Sequence, residues 1–157
     1  MRLNDRFTLQ EYVPKSVFDK HGERAVRFIS TALIEADYQL LQDLEKHYGR
    51  QISCSINTWS FGGDRSYSGL RVPGEPYYKP HSMHSMGSGS DKIYSFKDTK
   101  ERIETKKIYD FIIANQSKYY ALGIRRMEDI RDASSWIHWD TCWTLESFKG
   151  RLQIVRA

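Results

Sequence analysis

The sequence has little cysteine and no long apolar run, and neither sign of charge is clustered. Two cysteines in 157 residues, Cys54 and Cys142, cannot make a disulfide framework, and their spacing is not that of a zinc ribbon. They read as reduced, partly buried small hydrophobes. The longest apolar stretches are a few residues, as in Phe111-Ile112-Ile113-Ala114, which excludes a transmembrane helix. Met1-Arg2-Leu3-Asn4-Asp5 leads into polar sequence without an apolar core segment, so no Sec-type signal peptide is expected. No run of five like charges occurs. The 24 basic and 20 acidic residues are interspersed, so the net charge of +4 would ease approach to a polyanion without marking a nucleic-acid binder. Internal repeats, low-complexity tracts and linkers are also lacking.

What is present is enough for one packed domain, read as residues 1–157. Apolar residues make up 39% and charged residues 28%, so the chain can bury a core and is not compositionally disordered. Aromatic content is 13%, and three of the four tryptophans fall between residues 136 and 143.

The first third has helical spacing. Phe7 to Val13 suits a short helix interrupted by Pro14. From about Ser30 to Tyr48, Leu33, Ile34, Leu40, Leu41, Leu44 and Tyr48 recur at helical spacing, and Gly49 stands where a C-cap would. Gln51 to Trp59 alternates polar and apolar residues, as a half-buried strand does. Residues 61–90 then hold six of the ten glycines and three of the four prolines, with no clear periodicity. A loop of that length inside a compact domain is commonly functional, and this one leads through His81 and His84 to Asp91. Ile93 to Phe96 reads as a short strand, and Asp98-Thr99-Lys100-Glu101 as a capping box opening a helix to about Ala114 with Ile108, Phe111 and Ile112 as its core stripe. Strand-like runs follow at 124–127, 136–143 and 152–155. The pattern predicts an α+β fold, helices first and then packed on a mostly antiparallel sheet.

The segment Ser82-Met83-His84-Ser85-Met86-Gly87-Ser88-Gly89-Ser90-Asp91, with the later Trp136-Ile137-His138-Trp139-Asp140, carries the chemistry. Two imidazoles and a carboxylate suit a catalytic Zn²⁺, which takes three protein ligands and keeps a fourth position open. The Ser/Gly run lets the backbone turn so that His84 and Asp91 converge. On a strand His138 and Asp140 share a face, so one can ligate while the other orients a ligand from behind. On spacing alone the same residues suit solvated polar side chains equally well, and His81-x-x-His84 is a competing pair. His21 and His47, in or near helices, read as solvated.

The pattern Ser82-x-His84-x-x-Gly87-x-x-x-Asp91, followed by an apolar strand ending in His138-x-Asp140, resembles the zinc D-Ala-D-Ala carboxypeptidase/L-alanyl-D-glutamate endopeptidase family, which shares its fold with the hedgehog signalling domain. Phe7 to Glu11 looks like that family's opening helix. Ile56 to Trp59 with Ser68 to Arg71 looks like its segment before the first ligand. Met127-Glu128-Asp129 with Trp136 to Asp140 is similar to the closing block of small phage-type members, so the likeness spans about residues 7 to 155.

Position by position, the resemblance implies that His84, Asp91 and His138 bind Zn²⁺, which lowers the pKa of a bound water and polarises the scissile carbonyl. It implies a substrate-carboxylate role for Arg71, whose forked guanidinium suits that task, with Arg65 in reserve. Asp140 and Trp136 fall beside the ligands. Core packing is the default for Trp136 and Trp139, with one of Trp136, Trp139 and Trp143 available to line the site.

Two departures stand out. Gly89 replaces a common alanine, and Ser135 stands where many members carry an acid three positions before the last histidine. A serine of ordinary pKa cannot serve as that base. Asp132, six positions before His138, matches the hedgehog-like spacing and is the first candidate, ahead of Glu128 and Asp129.

The expectation is therefore a zinc metallopeptidase that cuts an amide bond in bacterial peptidoglycan stem peptides, as a carboxypeptidase or an endopeptidase. The likeness to small phage-type members suggests a phage or prophage lysis protein or a virion-associated subunit, made in the host cytoplasm and acting at the cell wall. Ser135 keeps open a second reading, a zinc-retaining binding or structural module that does not cleave. Two histidines and an aspartate prefer Zn²⁺, with Co²⁺ or Mn²⁺ as substitutes. Nucleic acid is not an expected partner, because Tyr77-Tyr78-Lys79 is too little for a stacking platform.

Overall fold

A computed structural model describes residues 1–144 and 146–156. The chain opens with a short helix α1 (Leu9–Tyr12), where the Thr8 backbone N–H donates to Glu11 Oε2 at 2.7 Å. Pro14 interrupts the helical region as expected, with Val13 and Pro14 both extended. It stands immediately before a second helix, α2 (Lys15–His21), where its missing N–H costs nothing. A 3₁₀ segment (Gly22–Phe28) leads to α3 (Thr31–Tyr48). Ser30 Oγ accepts from the Leu33 N–H, and Gly49 closes α3 at φ 63°, a left-handed conformation natural to glycine. Its buried stripe is the predicted Leu33, Ile34, Leu40, Leu41 and Leu44, joined by Asp37.

Strand β1 (Ile52–Ser55) is shorter than the alternation over 51–59 predicts. Beyond it the chain turns to the N-terminal helices. The Asn57 N–H donates to Glu11 O, its Nδ2 donates to Val13 O, and its Oδ1 accepts from the Ser68 N–H. Strand β2 (Gly89–Phe96) starts earlier than predicted, inside the Ser/Gly run. The expected helix start at Asp98 is also displaced. Residues 97–100 turn the chain back, Lys100 adopts φ 62°, Ser95 bridges Arg102, and the Ile103 N–H donates to Tyr94 O. Asp98 pairs with Arg50 instead of capping a helix, and α4 runs Thr105–Ala114, followed by α5 (Gln116–Ala121). The last strands are β3 (Arg126–Glu128), β4 (Ile137–Asp140) and β5 (Gln153–Val155).

The sheet order is β1-β2-β4-β3-β5, antiparallel except for the parallel β3–β5 pair. The fold is thus mixed α+β with a mostly antiparallel five-stranded sheet, as expected. Helix α3 packs on β1 and α4 on β4. Period-2 alternation sorts the strands: Ser90, Lys92 and Tyr94 of β2 and Ile137 and Trp139 of β4 are buried, while Asp91 and His138 look the other way and are partly exposed. No described helix is long and apolar enough to cross a membrane. Cys54 and Cys142 are both free thiols.

The loop before β2 is pressed onto the N-terminal helices. The Ser30 N–H donates to Gly87 O at 2.9 Å, and a Cβ on Gly87 (φ 64°) would lie 1.7 Å from Phe28 O. Gly87→Ala is therefore expected to lose about 1–3 kcal/mol from the clash, in addition to the left-handed penalty of about 1–2 kcal/mol. Gly74→Ala (φ 90°, open space around the added methyl) should lose only the second amount. Chemical denaturation of both variants checks this, and equal midpoints would refute it.

Candidate metal centre

The register of the central strands builds the site. β2 and β4 pair so that Asp91 lies directly opposite His138. His84 joins them from the loop, held by its own main chain, whose carbonyl accepts from the Arg71 and Gly87 N–H groups. The His84 ring places Nδ1 2.7 Å from Gly69 O. A carbonyl only accepts, so Nδ1 carries a hydrogen and Nε2 is the ring nitrogen turned inward, toward Asp91. His84 Nε2 is 3.2 Å and His138 Nδ1 2.7 Å from Asp91 Oδ1.

Among the described residues, His84, Asp91 and His138 form a group whose ligand atoms all lie within 4.8 Å of one another. Such separations suit three ligands sharing one small ion with bonds of about 2 Å. This group could hold a metal ion, and the structure brings together the three residues to which the sequence pointed.

Asp91 and His138 are also held from behind, as the donors of metal sites commonly are. Asp91 Oδ2 accepts from Arg71 Nη2 at 2.9 Å, and Arg71 Nε donates to Tyr67 O. His138 Nε2 faces Asp140 Oδ2 at 3.6 Å. Asp140 is clamped by Arg126 Nε and Nη2 and accepts from the Cys142 N–H. Burial disfavours charge on His138, but hydrogen bonds to Asp140 and Asp91 outweigh it and push its imidazole up to about 9. Burial likewise opposes charge on Asp91, yet hydrogen bonds from His138 and His84 hold its carboxyl well below the usual range. Gly89 has a local reason: a Cβ there would meet Met83 Cβ at 3.1 Å and His138 Cε1 at 3.2 Å.

The cluster lies in an open cleft of about 690 Å³, whose walls include Arg71, Lys79, His81, Glu128, Trp136 and Arg156. Arg71, expected to bind a substrate carboxylate, lines the cleft with its guanidinium bonded to Asp91. Arg65 is outside the cleft lining and braces backbone, donating from Nε to Ile56 O and from Nη2 to Asp91 O. Trp136 lines the cleft, which corrects its default assignment to the core. Trp139 is fully buried, and Trp143 is 92% exposed. His81 sits exposed at the rim, outside the ligand group.

The candidate bases separate clearly. Asp132 pairs with Arg156 Nε at 2.6 Å and is not among the residues lining the cleft. Asp129 is bound to Arg131. Glu128 does line the cleft. Met127 is the buried residue of β3, so by alternation its neighbours Arg126 and Glu128 point to the other face, where both line the cleft. Distance along the chain carries no information on that facing, and Arg126 was missed for the same reason. Asp37 and Lys92, a fully buried pair beneath the site, had one sequence signal: an aspartate inside the apolar stripe of α3. Compared with known proteins, the chain matches no family model, and no curated protein resembles it at a significant level.

Proposed function

We propose that this protein is a zinc-dependent peptidase of the hedgehog/D-Ala-D-Ala-carboxypeptidase-like fold that hydrolyses an amide bond in bacterial peptidoglycan stem peptides. The observation that carries the reading is the convergence of His84 Nε2, Asp91 Oδ1 and His138 Nδ1 in an open cleft that Glu128 also lines. The motif resemblance supplies the substrate class. A phage or prophage origin and action at the cell wall belong to the same proposal.

When bound, zinc supplies Lewis acidity toward the scissile carbonyl and an activated water. His84, Asp91 and His138 are the residues that would hold it. Glu128 is the general base: its carboxylate takes a proton from the attacking water and returns it to the departing nitrogen. The other two carboxylates of the cleft are engaged, Asp91 among the ligands and Asp140 under Arg126. Arg71 positions Asp91 rather than the substrate, and the flat face of Trp136 offers an apolar wall to the bound peptide.

The test is mass spectrometry of purified peptidoglycan and soluble stem peptides after incubation with the zinc-loaded protein. Wild type should release new peptide ends. Glu128→Gln should retain zinc and lose cleavage by about 10²–10⁴-fold, while Asp132→Asn keeps most of it. The opposite ranking would move the base to Asp132. Zinc uptake without cleavage of any wall substrate would favour the second reading, a metal-retaining binding module, for which Ser135 in place of an acid is the supporting observation.

A further inference from the structure

On the helix-facing side of the sheet, directly beneath the ligands, lies an ion pair that the hydrolytic reading does not use. Asp37 of α3 and Lys92 of β2 are both wholly buried, with Nζ 2.9 Å from Oδ1. The same carboxylate accepts from Trp139 Nε1 at 2.6 Å, Tyr12 Oη at 3.0 Å and Ser90 Oγ at 3.1 Å. Lys92 Nζ also donates to Ser90 Oγ and Ser90 O, and it stands 4.6 Å from the centre of the Trp139 ring.

The addresses of these partners matter. Ser90 and Lys92 flank Asp91, and Trp139 follows His138. Because side chains alternate across a strand, residues 90, 92 and 139 point to α3 while 91 and 138 point to the cleft. One carboxylate therefore grips both central strands at the residues adjoining two of the ligands. A one-residue slip between β2 and β4 would break these bonds and would also take Asp91 away from His138. A buried ion pair is a poor way to gain stability, since uncharged groups of similar volume often do as well or better. What it adds is direction: the bonds are satisfied in one register only.

We propose that Asp37 and Lys92 are positioning residues for the metal centre, fixing β2 against β4 so that Asp91 and His138 meet at one ion. This rests on the metal site of the proposed function and is independent of peptidase activity.

The test uses the double substitution Asp37→Asn/Lys92→Met. It removes both charges with little change of volume and leaves an amide oxygen for Trp139 Nε1. The apo proteins are melted, then titrated with Co²⁺ while the visible absorption of the bound ion is recorded. The double variant should melt within a few degrees of wild type yet bind Co²⁺ about 10- to 100-fold more weakly, with an altered cobalt spectrum. Leu44→Ala, in the same helix and buried, provides the contrast: it should lower the melting temperature and leave the affinity and spectrum unchanged. A folded double variant with wild-type affinity and spectrum overturns the proposal. Should the double variant fail to fold, Trp139→Phe removes one bond to Asp37 and keeps an aromatic side chain there, and an unchanged cobalt titration in that folded variant overturns it equally. A wild type that takes up no cobalt would overturn the metal centre itself, and the proposal with it.

Discussion

His84→Ala is expected to abolish metal uptake while leaving the chain folded. Wild type should carry about one ion per chain under a three-ligand site. His84 is the ligand that comes from the loop, with its inward Nε2 fixed by the Nδ1 contact to Gly69 O. Removing the ring leaves two ligands from paired strands, Asp91 and His138, which cannot enclose an ion. Elemental analysis after dialysis, with calorimetric titration of Zn²⁺, reads the result directly. His81→Ala is the matched control, because His81 lies at the cleft rim outside the ligand group, and it should keep full occupancy. If His84→Ala retains wild-type metal, or His81→Ala loses it, the assignment of ligands is wrong.

Asp37→Ala should be among the most destabilising single substitutions in the molecule. It removes the acceptor of Tyr12, Ser90 and Trp139 together and leaves the Lys92 ammonium buried without its counter-charge. Breaking one side of such a pair costs about 3–5 kcal/mol. Domains of this kind have only about 5–15 kcal/mol in all, so the variant should be partly unfolded or close to it. Equilibrium urea denaturation checks the size of the effect, and a loss below about 1 kcal/mol would mean that water enters the site and relieves the charge. The comparison with Asp37→Asn/Lys92→Met is informative in its own right. If the two charges are coupled as the 2.9 Å separation implies, the double substitution is less damaging than Asp37→Ala alone.

Features set by neighbours along the chain were legible in the sequence. Helix α3 follows from the spacing of Leu33 to Leu44, with Ser30 and Gly49 supplying its two ends. The converging group was legible from residue type and spacing, because a Ser/Gly run with His84 before Asp91, and a histidine on an apolar strand, are local patterns. The errors fall where a local preference met a competing partner far away. Asp98 carries the sequence of a helix cap, but Arg50 claims its carboxylate and the helix begins at Thr105. Asp132 has a plausible distance from His138 along the chain, but its carboxylate pairs with Arg156 outside the cleft lining, whereas Glu128 lines the cleft.

The sequence by itself determined the α+β class, the long amphipathic helix and the identity of the three converging donors. Each depends on side-chain period or on the chemistry of a residue type, and both survive without knowing what packs where. Only the tertiary structure decided that β2 starts in time to set Asp91 opposite His138, that Arg71 bonds the Asp91 carboxylate, and that Asp37 reaches through the core to Lys92 and Trp139. The physical reason is common to all three. Strand register and buried charge pairing join segments dozens of residues apart, and which donor meets which acceptor is settled only when burial forces every such group to find a partner.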